Sequence, residues 1–232
     1  MPAKRKPKKP VKVEPPGALR ARAAEICRRL TAEYPDAACR LRFASPFELL
    51  VATILAAQCT DDRVNLVTAD LFRRARTPEA FARMSQAALE AAVRSTGFFR
   101  NKAKAIRAMS RMLVDEFGGR VPREMDDLLR LPGVARKTAN VVRAAAFGLP
   151  ALITDTHFIR LSGRMGLTRE EKPEKIEQDL AGLLPEAHWS AFSHAMLFHG
   201  RAVCEARKPA CDRCAVADLC PSAFRFPHLE GA

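Results

Sequence analysis

No stretch of this 232-residue sequence is apolar for long enough to cross a bilayer. Its first residues lack the apolar segment that a secretory signal needs. Membrane-spanning and exported classes are set aside, and a soluble intracellular protein is expected. Runs in which β-branched residues alternate with polar ones are also missing, which argues against a sandwich or barrel. No segment repeats at a fixed period, so a solenoid is not indicated. Lysine is scarce beyond residue 17, where only Lys102, Lys104, Lys137, Lys172, Lys175 and Lys208 occur.

What the chain does have is positive charge. A formal net charge of +13 points to a polyanionic partner, nucleic acid ahead of an anionic membrane. Part of the surplus lies in "MPAKRKPKKPVKVEPPG", which has nothing to bury and is read as a disordered arm over residues 1–17, tethering DNA. Six of the 39 basic residues and one of the 26 acidic ones lie there, so the body keeps a surplus of eight. The segment "KRKPKKPVK" also has the composition of a nuclear address. The arginine-rich body points instead to a GC-rich bacterial genome and a cytoplasmic, nucleoid-associated protein.

After Gly17 apolar residues recur at helical spacing, interrupted at Gly and Pro, so the fold is expected to be all-α. In "SPFELLVATILAAQ", Ser45 as N-cap, Pro46 at the first helical position and Glu48 two residues on form a capping box ahead of a helix to about Ala57. Further helices are predicted over 19–33, 61–75, 78–84, 86–95, 102–117, 124–129, 135–147, 156–165, 173–184 and 185–198. Gly97, Gly118, Gly119, Gly148 and Gly166 stand where left-handed C-terminal caps belong.

Of seven cysteines, Cys27, Cys39 and Cys59 are scattered through helical segments and read as buried thiols. The other four crowd into "CEARKPACDRCAVADLC" as Cys204, Cys211, Cys214 and Cys220. An intracellular setting argues against disulfides. Structural zinc remains open, but it favours two short cysteine pairs, and only Cys211 and Cys214 form one. The wider gaps suit a [4Fe-4S] cluster. Arg207 and Lys208, between the first two ligands, would sit on a rigid loop suited to phosphate contacts; the same composition also fits a solvated loop.

In "LPGVARKTANVV" a Pro-Gly turn joins two helices. Such a turn leaves backbone N–H groups at the start of the second helix, where the dipole attracts phosphate, although many helical hairpins turn at Pro-Gly merely to pack. The scarcity of lysine makes Lys137 stand out. A solvated cation is one reading; the other is a nucleophile, because the positive end of a helix dipole favours a neutral amine. "LITDTHFIRL" supplies a carboxylate, Asp155, itself a natural N-cap with Thr156 and His157 opening the next helix.

These motifs, together with "LLVATILAAQCTDDRVN" and "TGFFRNKAKAI", occur in an order that resembles the endonuclease III family of helix-hairpin-helix DNA glycosylases, over about Ala18 to Pro221. The resemblance implies a bilobal all-α fold. A six-helix barrel domain carrying the hairpin would span 41–149, an iron–sulfur cluster domain would combine 18–40 with 150–224, and a tail would cover 225–232. Duplex DNA would lie across the cleft between the domains. Lys137 matches the family's Schiff-base lysine, Asp155 its essential aspartate, and Cys204, Cys211, Cys214 and Cys220 its [4Fe-4S] ligands. Gln58 matches the residue that fills the gap left by an extruded nucleotide, and Phe98 falls at the wedge beside it. Gly133, Val134, Ala135, Arg136, Thr138 and His157 complete the expected DNA contacts.

The implied activity is bifunctional: removal of oxidised pyrimidines from duplex DNA through a lysine Schiff base, then β-elimination 3′ to the abasic site, by a monomer. Alternatives are a monofunctional mismatch or damaged-base glycosylase, whose relatives generally lack the hairpin lysine, a non-catalytic damage binder, and an electron-transfer protein. Two departures stand out. Ala135 replaces the hairpin's usual second glycine, so it is either already right-handed helical or holds the backbone farther from the phosphate. Aromatic Phe98 and Phe99 stand where aliphatic and tyrosine residues are common, which bears on lesion range and opposite-base preference.

Overall fold

The computed structural model describes residues 14–229; the basic segment Lys4 to Lys12, and with it residues 1–13 of the expected arm, lies outside them. Eleven α-helices occur among the described residues, and no strand: α1 (Pro16–Glu33), α2 (Pro46–Leu55), α3 (Asp61–Arg74), α4 (Pro78–Arg83), α5 (Gln86–Val93), α6 (Phe99–Phe117), α7 (Met125–Arg130), α8 (Arg136–Phe147), α9 (Thr156–Arg164), α10 (Pro173–Leu183) and α11 (Trp189–Ala202).

The chain divides into two compact units, Ala38–Ile153 and the residues flanking it on both sides. The central unit holds α2 to α8. Its core gathers Leu49, Leu50, Leu55, Phe81, Leu89, Ile106, Met109 and Val142, all inaccessible to solvent, with Phe47 edge-on to Phe81 at 5.2 Å between ring centres. The flanking unit packs α1, α9, α10 and α11 around Ile26, Leu30, Phe158, Ile176 and Phe192, with Phe158 edge-on to Phe192 at 6.0 Å.

Four successive helices of the central unit start on hydroxyl caps. Ser45 accepts from the Glu48 N–H, Thr60 from Arg63, Thr77 from Ala80 and Ser85 from Ala88. Glu48 reaches back to the Ala44 N–H at 2.6 Å, one residue ahead of the N-cap N–H that the expected box would use. Gly118 and Gly148 close α6 and α8 in left-handed geometry.

The sequence reading needs three corrections. Residues 14–17, assigned to the arm, belong to the fold, because α1 begins at Pro16 and the Glu14 carboxylate pairs with Arg22 at 2.8 Å. Helix α6 starts at Phe99 rather than Lys102, and its N-cap Phe98 has no capping side chain to announce it. The last helix begins only at Trp189, after a 3-10 turn over Glu186–His188, and continues to Ala202.

Candidate functional site

The hairpin joins α7 to α8. Its turn closes with the Val134 N–H donating to the Leu131 carbonyl at 3.1 Å. Gly133 has φ +82°, and a Cβ built on it would lie 2.8 Å from the Ala105 Cβ, so both its backbone angle and its close approach to α6 require glycine. Ala135 is the N-cap at φ −93°, ψ 168°. It is therefore extended rather than right-handed helical, a conformation alanine adopts without strain, and no second glycine is needed. Having no side-chain acceptor, Ala135 does not cap α8, so its own side chain takes none of the first-turn N–H donors that a phosphate can use.

Lys137 is the second residue of α8 and is exposed, while Thr138 is buried and Arg136 partly so. Val134 is in the core and its N–H is taken by the turn. Burial of both side chains leaves a DNA contact at Val134 or Thr138 to the backbone. Behind the hairpin, Asn140 donates to the Leu152 carbonyl at 2.7 Å and ties α8 to the segment that follows it.

Gln58 and Phe98 stand at the open ends of two turns of the same unit. Both are exposed, Phe98 to 65%, and both are left-handed, with φ of 54° and 47°. Non-glycine residues in that region are uncommon and concentrate at functional sites. Phe99 turns inward against the core, with the Arg100 guanidinium 5.3 Å from its ring centre. The two aromatics are thus divided between solvent and core.

In the flanking unit Asp155 caps α9, its Oδ1 accepting from the Phe158 N–H at 2.7 Å. The bond fixes the carboxylate's direction while a second oxygen remains for other work. Its charge is felt by Arg160 and His194: burial lowers the pKa of each, and Asp155 opposes that shift. His157 lies against Gly200 of α11, its Nδ1 3.1 Å from Arg160, so part of the ring is committed to packing rather than to a ligand.

Cys204, Cys211, Cys214 and Cys220 line one pocket with Met165, Val203 and Phe226, partly open to solvent. Burial pushes the Cys214 thiol up to about 11, and the charges of the other three add to it. Among the described residues no group of three or more ligating side chains is spaced for a single metal ion. Four thiols with apolar walls nevertheless fit a larger cationic group, whose charge would offset the repulsion among thiolates.

The loop after Cys204 is held independently of any such group. Arg164 donates to the Glu205 and Ala206 carbonyls, both at 2.7 Å, and to the Cys204 sulfur at 3.3 Å. Arg207 and Lys208 are exposed at its tip. The expected tail takes part as well, Phe226 stacking under the Arg164 guanidinium at 4.7 Å and His228 lying 3.1 Å from the Pro209 carbonyl.

Residues 51–186 match the model of the HhH-GPD superfamily base excision DNA repair proteins. The sequence is 55% identical to the endonuclease III of Synechocystis sp. over 203 residues, 87% of this chain and 93% of that one. The chain belongs to the endonuclease III family. It is also 44% identical to the Bacillus subtilis endonuclease III, over 81% of this chain and 86% of that one. A trapped covalent endonuclease III–DNA intermediate superposes with a TM-score of 0.85 at 42% identity, covering 89% and 97% of the two chains. A thermostable thymine-DNA glycosylase, 21% identical with a TM-score of 0.77, shares the fold. As an endonuclease III family member the protein is a DNA-binding base excision repair enzyme, a glycosylase and abasic-site lyase. Among the described residues no helix is long and apolar enough to span a membrane.

Sequence reasoning passed over Lys102, Arg160, Arg164 and His199. Lys102 alone had a signal, as one of six lysines in the body. Arg160 and Arg164 meet Cys204 from 44 and 40 residues away, and His199 meets the Tyr34 hydroxyl from 165, which spacing does not disclose.

Proposed function

We propose that the protein excises oxidised pyrimidines from duplex DNA with Lys137 as nucleophile, acting as a monomer. The observation that carries this reading is the exposed amine on the first turn of an uncapped helix directly after the Pro-Gly turn. There the helix N-terminus can hold a phosphate beside the sugar that the lysine attacks. Gln58 and Phe98 occupy the space of the extruded nucleotide and its neighbour, offsetting part of an unstacking cost of a few kcal/mol.

The neutral amine of Lys137 attacks C1′ and the glycosidic bond breaks, the base leaving with a proton. Asp155 relays that proton and stabilises positive charge developing on the sugar. The C1′–O4′ bond then breaks, O4′ taking a proton from water, and the opened sugar is a protonated imine whose charge acidifies the C2′ proton. Loss of that proton expels the 3′ phosphate by β-elimination, and water then releases the lysine. Cys204, Cys211, Cys214 and Cys220 would hold a [4Fe-4S] cluster, which would serve architecture by adding a second anchor, beside Arg164, to the segment carrying Arg207 and Lys208.

Borohydride added to a mixture of the protein and a duplex with one thymine glycol tests the imine. A covalent adduct at Lys137 is expected on a denaturing gel. Alkali-labile abasic product without an adduct would mean attack by water and overturn the assignment.

A further inference from the structure

Lys102 is 6% exposed, yet no carboxylate accompanies its ammonium among the hydrogen bonds it makes. Nζ donates to the Leu55 carbonyl at 2.8 Å and to the Thr96 carbonyl at 2.7 Å. Burial lowers the pKa of the amine, and a charge on Cys59 would oppose that effect. A desolvated cation is costly to keep unless something is gained by it. Both acceptors have a place in the fold that suggests what is gained.

Leu55 ends α2, and its carbonyl belongs to the negative pole of that helix, where a cation is welcome. Three residues later stands Gln58. Thr96 ends the 3-10 turn Arg94–Thr96, and two residues later stands Phe98. The lysine's own N–H donates to the Phe98 carbonyl at 3.1 Å, so one residue grips the Phe98 turn from both sides and the Gln58 turn from one. Gly97, Phe98 and Gln58 all have positive φ. Backbone held in such conformations persists only where its surroundings over-determine it.

We propose that Lys102 is the positioning residue of the nucleotide-extruding machinery: its ammonium pins the Gln58 turn to the Phe98 turn at the fixed separation with which the two side chains enter the duplex. This rests on the roles given above to Gln58 and Phe98. The lysine touches neither DNA nor the reacting atoms. Its work is confined to the step that takes a paired nucleotide out of the stack, and it leaves attack by Lys137 alone.

The test compares single-turnover cleavage of thymine glycol in a fully paired duplex with cleavage of the same lesion in a bubble of non-complementary bases. The proteins are wild type, Lys102→Met, Phe98→Ala and the double variant. Lys102→Met should slow the paired substrate by roughly 10- to 100-fold, the range in which misplacement by about 1 Å falls, and the bubble by no more than about twofold. The double variant should be no slower than the slower single one, because both changes remove one function. Equal slowing of both substrates, or additive losses in the double variant, would reduce Lys102 to a structural cation and overturn the proposal. If Phe98→Ala cleaves both substrates like wild type, the wedge reading falls and takes the lysine's role with it. A normal Lys102→Met beside a defective Phe98→Ala overturns only the proposal. Should Lys102→Met lack a cooperative melt, Lys102→Arg decides, keeping charge and donors at the wrong reach: a loss confined to the paired duplex supports the proposal, and any other result overturns it.

Discussion

Helices α8 and α9 carry the two residues proposed for chemistry, and they begin in opposite ways. The N-cap of α8 is an alanine, which offers no side-chain acceptor; that of α9 is Asp155, whose carboxylate accepts the Phe158 N–H at 2.7 Å. An uncapped start forgoes on the order of 1 kcal/mol of helix stability and keeps its donors for a ligand. A capped start spends one carboxylate oxygen on the fold and thereby aims the other. The contrast shows how a helix terminus can serve as a binding site or as a mount for a charged group.

The largest effect expected along this contrast is at Lys137. Lys137→Gln should lower strand cleavage by about 10³-fold or more, because the nucleophile is gone. The melting temperature should hardly move, since the side chain is exposed. Retained lyase activity would break the assignment. At the other helix, Asp155→Asn keeps a good cap and removes the charge, so stability should hold while turnover falls by roughly 10²-fold or more. Asp155→Ala should add a loss of about 1 kcal/mol in denaturant unfolding. Equal stability of the two variants would mean that the cap contributes nothing.

Smaller effects come from phosphate contacts. Arg207→Gln with Lys208→Gln should weaken DNA binding by about 10-fold at low salt and reduce the slope of log affinity against log salt by about 2. The smallest effect sharpens the comparison most. Ala135→Ser gives α8 the cap it lacks and should stabilise the protein by about 0.5 to 1 kcal/mol while weakening DNA binding a few-fold, as the new hydroxyl occupies a donor. Tighter binding from that variant would show that the first-turn donors are not the phosphate site.

Much of this was legible in the sequence. Ser45 announces its helix because its hydroxyl acts within three residues of itself; Thr60, Thr77 and Ser85 cap theirs in the same way, though the sequence reading singled out none of them. The α6 boundary was not, because Phe98 caps nothing and Gly97 before it signals only a turn. Ala135 raised a question that only φ could answer. The duties of Lys102 and Arg164 are set by burial and by contacts distant in the chain, and composition registers neither.

The near-contact of Gly133 with Ala105 has a consequence for how a lesion is selected. The turn proposed to hold a phosphate rests on α6, whose first residues follow Phe98, and on α2, which leads to Gln58. On the roles proposed for them, grip, wedge and plug then belong to one compact unit, which sets the number of nucleotides between the held phosphate and the displaced base. Such a piece works as a gauge block: it does not slide to find its register on a strand, and a nucleotide one step away from the right place is simply never presented.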